Sequence, residues 1–219
     1  MHKKTADYYQ SLTTPCQLSL VFNMIEALFT GKTVLDVGCA TGDYLSRFSS
    51  ASIGIDYSES NLKVCKTKRL NAIKADLNEG LPVDDESFDV VFCTHVIEHV
   101  DSPLFLLREM HRVVRKDGII ILSHPIENSL TRIILCDGYF KGHPSHLYSF
   151  TLAGIKRLFD IAGLEIVTVY LDYPILRRFN LMWALKALQY LPLRLGLLFA
   201  GNVWLLAYRK GLAVSQAAS

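Results

Sequence analysis

The sequence lacks several features that mark other classes of protein. Its five cysteines are scattered and never form a C-x-x-C pair, which argues against a zinc ribbon or a disulfide framework and suits a reducing cytosol. The 23 basic and 21 acidic side chains leave a formal charge of only +2, so no overall field attracts nucleic acid. The polar first residues lead into no apolar stretch of signal-peptide length. We therefore expect a cytoplasmic protein.

Long apolar runs are also missing, and so are acidic residues toward the C-terminal end of the sequence. The longest charge-free apolar run, residues 195–208, has 14 residues, short of the about 18 to 20 that cross a bilayer. No Asp or Glu follows Asp172, although Arg and Lys continue among many Leu and aromatic residues. Two interpretations of residues 175–198 stay open: helices in peripheral contact with the inner membrane face, or a lid whose Arg and Lys stems reach water.

Short β-branched runs alternate with longer amphipathic patterns, which is typical of a parallel sheet covered by helices on both faces. The pattern predicts an α/β, doubly wound, Rossmann-like sheet of seven mostly parallel strands, with a C-terminal helical insertion before the last strand. Predicted strands are 33–37, 53–56, 71–74, 88–94, 119–123, 164–170 and 202–208. Predicted helices are 18–29, 44–48, 59–68, 104–114 and 151–162, with Thr151 as an N-cap and a glycine stop at Gly118.

The length and the 50% hydrophobic content suit one domain with one substantial core. We expect that domain to span residues 1–219. Its predicted parts are N-terminal cap helices (1–30), a cofactor-binding core (31–170), a helical lid or membrane-facing insertion (171–201), the last strand (202–210) and a flexible tail (211–219).

A glycine-containing loop follows the first predicted strand, in the stretch Val34-Leu-Asp-Val-Gly-Cys-Ala-Thr-Gly42. In an open parallel sheet the ligand crevice lies at this point, and glycines let the backbone approach a ligand closely. A dinucleotide site would favour G-x-G-x-x-G, whereas this loop is G-x-x-x-G and is preceded by Asp36. Asp36 would repel a pyrophosphate and attract an ammonium, such as that of S-adenosylmethionine. An NAD-linked enzyme is therefore disfavoured.

Two further acidic residues follow strands at equal intervals. Asp56 lies 20 residues after Asp36 and Asp76 lies 20 residues after Asp56. An acidic side chain at the end of the second strand can accept both ribose hydroxyls, and one at the third could accept the adenine amino group, with Leu77 over the ring. A single strand-end Asp is commonly a helix cap, but three in register with a glycine loop predict a nucleoside site.

With these motifs in place, the chain resembles the class I S-adenosylmethionine-dependent methyltransferases, in the broad group that includes ubiquinone and menaquinone biosynthesis enzymes and small-molecule methyltransferases. The resemblance covers about residues 7–170. It rests on the glycine loop and on four further segments: Gly54-Ile-Asp-Tyr-Ser58, Ala75-Asp-Leu77, Phe88 to Val100, and Leu107 to Gly118. Ala40 departs from the family's frequent middle glycine.

The resemblance implies a role for each matching residue. S-adenosylmethionine would be the cofactor, with its methionine end at Asp36, Gly38 and Gly42, where Cys39 and Ala40 complete the loop. Asp56 would bind the ribose, Asp76 the adenine, and Tyr57 would pack beside the adenine with Leu77. The residues lining the methyl side would be Cys93, Thr94 and His95.

Histidines are candidates for a general base, which methyl transfer needs only if the acceptor arrives protonated. We select His95 and His146 as candidate catalytic residues, and His124 also follows a strand. In the related enzymes a His-x-x-x-Phe-Thr pattern, here beginning at His146, closes the site. Glu98 and His99 could suggest a metal pair, but adjacent residues at a helix start point apart and the sequence offers no evident third ligand. No metal site is predicted.

The sequence favours a small-molecule or lipid-like acceptor. The fourth strand is followed by Cys-Thr-His-Val and not by the Asn-Pro-Pro-Tyr type of loop that resembles base-amino methyltransferases, so DNA is not an expected partner. Methylation of tRNA or protein, and a non-catalytic regulatory protein with a nucleoside pocket, remain alternatives. The sequence leaves the oligomeric state undetermined.

Overall fold

The computed structural model describes residues 19–126, 146–173, 195–197 and 200–211. Its strands are β1 (Val34–Val37), β2 (Ile53–Asp56), β3 (Ala72–Lys74), β4 (Phe88–Thr94), β5 (Val114–Pro125), β6 (Leu164–Asp172) and β7 (Asn202–Arg209). Its α-helices are α1 (Leu20–Ile25), α2 (Glu59–Thr67), α3 (Pro103–Val113) and α4 (Leu152–Ile161). Two short 3-10 helices, Glu26–Phe29 and Leu45–Arg47, take the places of parts of the first two predicted helices.

All seven strands belong to one sheet in the order β3-β2-β1-β4-β5-β7-β6. Strands β1 to β5 pair in parallel, whereas β7 runs antiparallel to both β5 and β6. The chain runs from β1 outward to β3 and then returns to the other side of β1 as β4. This reversal opens a crevice at the carboxyl ends of β1 and β4. The predicted fold class, a doubly wound and mostly parallel seven-stranded sheet, is confirmed.

Both faces of the sheet are covered, because consecutive side chains of a strand point to opposite sides. Along β4, Val91 and Cys93 belong to one hydrophobic cluster, while Val90 and Phe92 belong to another. The first cluster contains apolar residues of α3 and α4, and the second contains those of α1. This double burial explains why the central strands are continuously apolar in sequence.

Polar caps set where the helices begin. The side chains of Ser58, Ser102 and Thr151 accept hydrogen bonds from main-chain N–H groups in the first turns of α2, α3 and α4. Each bond satisfies a donor that has no partner inside the helix. The N-cap predicted at Thr151 is confirmed.

The predicted glycine stop at Gly118 is wrong. Helix α3 ends at Val113, and its C-cap Val114 is already extended and begins β5. Gly118 instead lies within a bulge of β5, because β5 advances from Val114 to Ile119 while β4 advances only from Phe88 to Val90. A Cβ at Gly118 would lie 2.7 Å from the main-chain oxygen of Asp89. The glycine is needed for close strand approach rather than for ending a helix.

Several sequence predictions lie mainly outside the described residues. They concern the first 18 residues of the N-terminal cap, most of the helical insertion at 171–201 with its membrane-facing or lid role, and the tail after residue 211. Among the described helices, none combines the length and the apolar character needed to span a membrane.

Candidate functional site

The loop after β1 contains three residues with positive φ. Gly38, Ala40 and Gly42 have φ values of +75°, +46° and +77°. The N–H groups of Gly38 and Cys39 both donate to the main-chain oxygen of Ile55, at 2.8 and 2.9 Å. These bonds hold the loop against the end of β2. The loop therefore has a defined shape set by left-handed backbone positions that glycine adopts without strain.

The two glycines also allow close packing of the loop. A Cβ at Gly38 would lie 2.3 Å from Cγ2 of Val96, which is buried in the turn after β4. A Cβ at Gly42 would lie 2.4 Å from Cδ1 of Leu70, beyond the end of α2. The glycine pattern in the sequence correctly indicated a tight loop, but these packing partners could not be identified without the structure.

Asp36 is an unusual residue for its surroundings. It lies in β1 with 2% exposure, and its Oδ2 atom has no hydrogen-bond partner among the described residues. Burial, followed by the nearby Asp56 carboxylate, raises the pKa of Asp36 well above its ordinary value. A buried carboxylate oxygen without a partner is costly in free energy. A cationic group placed against it would offset that cost.

Asp56, at the end of β2, ties the glycine loop to the start of α2. Its Oδ2 accepts from the Ala40 N–H at 2.9 Å, and its Oδ1 accepts from the Ser58 N–H at 2.8 Å and the Asn61 amide at 3.3 Å. Burial raises the pKa of Asp56, although these three hydrogen bonds oppose that shift. A carboxylate has about four acceptor positions, so the geometry leaves capacity for one more donor.

The remaining predicted residues of the nucleoside end extend toward the edge strand β3. Tyr57, next to Asp56, has 38% of its surface exposed, whereas Leu77 is 6% exposed and belongs to the main core cluster. Asp76 is half-buried, and its Oδ1 accepts from the Asn78 N–H at 3.0 Å. Asp36 near the end of β1, Asp56 at the end of β2 and Asp76 just after β3 thus lie along one edge of the sheet, on three adjacent strands.

The predicted methyl side lies at the end of β4. Cys93 is fully buried, and burial raises the pKa of its thiol. Thr94 is half-buried and ends the strand. His95 follows with a φ of +55°, and its N–H donates to the main-chain oxygen of Ser123 on β5 at 2.9 Å. Its side chain is 42% exposed, with Nδ1 3.5 Å from Glu98 Oε1.

The other two histidines differ in accessibility. His124, near the end of β5, is 1% exposed, and burial lowers the pKa of its imidazole. His146 is half-buried, and its ring centroid lies 4.8 Å from that of His99. His95 and His146 are therefore the more accessible of the three.

Glu98 and His99 were expected at a helix start, with no third metal ligand nearby, and the structure differs on both points. These residues lie in a turn rather than at a helix start, with the His99 N–H donating to the Val96 oxygen at 2.9 Å. A third residue is also present, because one ligand atom from each of Glu98, His99 and His146 lies within 4.8 Å of the others. The 46 residues between His99 and His146 concealed this proximity in the sequence.

Three residues that the sequence did not single out as binding groups also shape the site. Val96 limits the position of the glycine loop, Asn61 binds the Asp56 carboxylate, and buried Glu98 faces His95. The sequence weakly indicated the role of Asn61, since this residue lies in the first turn of the helix that follows Asp56. Val96 showed no signal beyond its place after a strand, and Glu98 stood out only as part of a metal pair with His99 that was not predicted to bind metal.

Known proteins resemble this chain in its central part and in its fold. Residues 35–122 match the family described as "Methyltransferase domain". A ubiquinone biosynthesis O-methyltransferase of Coxiella burnetii is 29% identical over 180 residues, covering 70% of this chain and 75% of that protein. A 37.1 kDa protein in transposon TN4556 of Streptomyces fradiae is 32% identical over 134 residues, and the match covers 56% of this chain but only 39% of that protein.

Solved structures extend the likeness to the whole fold. A methyltransferase dependent on S-adenosylmethionine from Archaeoglobus fulgidus aligns with a TM-score of 0.63 at 23% identity, covering 86% of this chain and 92% of that one. This likeness concerns the fold. Together, the two findings lead to one conclusion: residues 35–122 match the methyltransferase domain family, and the chain has the fold of S-adenosylmethionine-dependent methyltransferases.

Proposed function

We propose that this protein transfers a methyl group from S-adenosylmethionine to a small-molecule or lipid-like acceptor by in-line displacement. The observation that carries the proposal is the buried Asp36 Oδ2 atom, which has no hydrogen-bond partner among the described residues and lies beside a second carboxylate. The ammonium of the cofactor's amino-acid part has the charge that this position favours. A pyrophosphate has the opposite charge and would be repelled.

Each part of the cofactor has a proposed group of residues. Asp36, Gly38 and Gly42 would hold the amino-acid end, with Cys39 and Ala40 in the same loop. Asp56 would accept a ribose hydroxyl through its remaining acceptor position, and Tyr57, Asp76 and Leu77 would surround the adenine. Thr94 and His95 would line the methyl side. The residues fit the cofactor because the aspartate carboxylates and the loop with left-handed backbone conformations lie together at the ends of adjacent strands.

When bound, S-adenosylmethionine supplies a methyl carbon on a sulfonium, and the carbon–sulfur bond breaks with its electron pair left on sulfur. The protein's part in such a reaction is mainly alignment of the acceptor with that carbon. His95 is proposed to accept the acceptor's proton when the acceptor arrives protonated, because its imidazole is exposed and lies 3.5 Å from the Glu98 carboxylate. Glu98 would orient the ring toward the acceptor.

The proposed acceptor class rests on similarity to a relative and on the overall charge of the chain. The Coxiella relative is named for ubiquinone biosynthesis, which supports a small, hydroxylated and lipid-like acceptor for this chain. The nearly neutral overall charge provides no overall attraction for tRNA. Peripheral contact with a membrane through residues 175–198 stays a prediction, since most of that segment lies outside the described residues.

The cofactor part of the proposal is tested by replacing Asp56 with alanine. Loss of a buried, charged hydrogen bond to ribose should weaken S-adenosylhomocysteine binding by about 1.5 to 3 kcal/mol in calorimetry. Asn61→Ala is the matched control, because it removes one partner of Asp56 but keeps the carboxylate. Equal affinities for wild type and Asp56→Ala would refute the ribose assignment.

The acceptor part is tested with methyl-labelled cofactor and fractionated cell extract. Label entering small molecules or lipids supports the proposal, while label in tRNA or protein would replace that acceptor class. Cofactor binding with no labelled product in any fraction would favour the regulatory alternative. The same extract with Asp56→Ala protein provides the background.

A further inference from the structure

Glu98, His99 and His146 form a compact group from two distant parts of the chain. Glu98 and His99 lie in the turn after β4, and His146 lies in the segment that leads to α4. One ligand atom from each residue lies within 4.8 Å of the other two. Glu98 and His99 are 0% and 4% exposed, and His146 is half-buried near the surface. The group is therefore enclosed on one side and reachable from the other.

Backbone hydrogen bonds hold the two segments together independently of these side chains. The main-chain oxygen of Glu98 accepts from the N–H groups of Leu147 and Tyr148, at 2.8 and 3.3 Å. The Tyr148 hydroxyl donates to the main-chain oxygen of Asp101 at 2.7 Å. His146 is thus placed beside His99 by the backbone of its own segment. A preformed arrangement of this kind lowers the cost of ordering ligands around an ion.

The carboxylate of Glu98 is buried close to two imidazoles. Neither of its oxygen atoms has a hydrogen-bond partner among the described residues. The nearest imidazole nitrogens lie at 3.5 Å, on His95, and at 4.0 Å, on His99. An ionised group removed from water needs a charge partner or a metal ion. A neutral imidazole supplies no charge, whereas a divalent cation supplies two.

We propose that Glu98, His99 and His146 bind a divalent transition-metal ion, with zinc or cobalt as representative occupants. Two imidazoles and a carboxylate are the donors that such ions favour. At metal–ligand distances of about 2.1 Å, ligand atoms in a tetrahedral site lie about 3.4 Å apart. The Glu98 Oε1 to His99 Nε2 distance is 4.0 Å, so a side-chain movement of less than about 1 Å brings these two atoms to the distance that a bound ion requires.

Three protein ligands leave one position of a tetrahedral ion open, as in catalytic zinc sites. His146 is the half-buried member of the group, and the exposed His95 lies beside Glu98. This side is where an oxygen donor, from water or from a hydroxylated small molecule, would complete the coordination. Binding of the ion itself does not depend on the proposed methyl transfer.

Cobalt absorption spectroscopy on the full chain tests the site. Protein freed of metal with a chelator and dialysed is titrated with Co²⁺ alone, and Zn²⁺ is then added as a competitor. We expect one Co²⁺ per chain, with d–d absorption in the visible range that Zn²⁺ abolishes. His146→Ala and Glu98→Gln should each weaken binding at least about tenfold. His111→Asn, which removes an imidazole on α3 outside the group, is the matched control and should bind as wild type does.

Two measurements keep the test decisive if a variant is damaged. Circular dichroism shows whether each variant is folded, and His146→Ala, which changes the half-buried member, decides the outcome if Glu98→Gln does not fold. Calorimetry with S-adenosylhomocysteine shows whether the site at β1 and β2 is intact, which separates failure of the metal site from failure of the proposed function. Absence of Co²⁺ binding by wild type, or equal binding by wild type and His146→Ala, would overturn the proposal. Equal losses in all three variants would do so too.

Discussion

Replacing Gly38 with alanine tests how the glycine loop is held in place. The residue has a φ of +75°, and an added Cβ would lie 2.3 Å from Cγ2 of the buried Val96. A left-handed conformation costs a residue with a Cβ about 1 to 2 kcal/mol, and overpacking a tight site costs about 1 to 3 kcal/mol more. We therefore expect Gly38→Ala to lower the free energy of unfolding by about 2 to 5 kcal/mol.

The two contributions can be separated with Val96→Ala. This substitution removes the methyl groups that an alanine at position 38 would meet, at its own cost of about 1.6 kcal/mol for two buried carbons. In the double variant, Gly38→Ala should cost only the conformational part, about 1 to 2 kcal/mol. The coupling between the two sites should then be about 1 to 3 kcal/mol, as is typical of residues in contact.

Urea unfolding of the four proteins, followed by circular dichroism, measures these free energies. A total stability of about 5 to 15 kcal/mol is usual for a domain, so the single variants should remain folded enough to measure. Additive effects, within about 0.5 kcal/mol, would refute the proposed contact between Gly38 and Val96. Calorimetry with S-adenosylhomocysteine should show weaker binding by Gly38→Ala and partial recovery in the double variant.

Two further substitutions probe the same loop. Ala40→Gly should raise the free energy of unfolding by up to about 1 kcal/mol. Relief of the left-handed φ of +46° stabilises the folded state by more than the added chain entropy of glycine stabilises the unfolded state. A urea midpoint below that of wild type would contradict this expectation. Asp36→Asn should stabilise the cofactor-free protein progressively as pH rises. Burial and the Asp56 carboxylate raise the folded-state pKa of Asp36, so wild type loses stability above about pH 4, the ordinary aspartate pKa, by up to about 1.4 kcal/mol per pH unit. Urea midpoints compared at pH 5 and pH 8 should diverge, and a difference independent of pH would exclude this effect of the Asp36 carboxylate.

Most of the fold could be predicted from local patterns in the sequence. The predicted strands 53–56 and 88–94 coincide with β2 and β4, because strands buried on both faces must be continuously apolar. The Thr151 cap was predictable because its bond reaches only to Gly154. Gly118 was misassigned because a glycine after a helical pattern usually ends the helix, whereas here the close approach of β4 required it.

The candidate site was predictable where its residues follow strands at regular spacing. Asp36, Asp56 and Asp76 lie at adjacent strands because parallel connections return the chain to the same edge of the sheet. The consequence of Ala40 was underestimated. Sequence suggested only a less close backbone contact, but the residue also has a left-handed backbone, which no composition or spacing reveals.

The sequence by itself determined the order of strands and helices, the glycine loop and the spacing of its acidic residues, since all of these depend on short-range patterns of polarity and backbone freedom. Only the tertiary structure decided which distant side chains meet. It placed Val96 against Gly38 and His146 against His99 and Glu98, because such contacts depend on how loops from different strands pack together. Contacts across such separations leave no periodic signal in one chain, so their chemistry becomes visible only after folding.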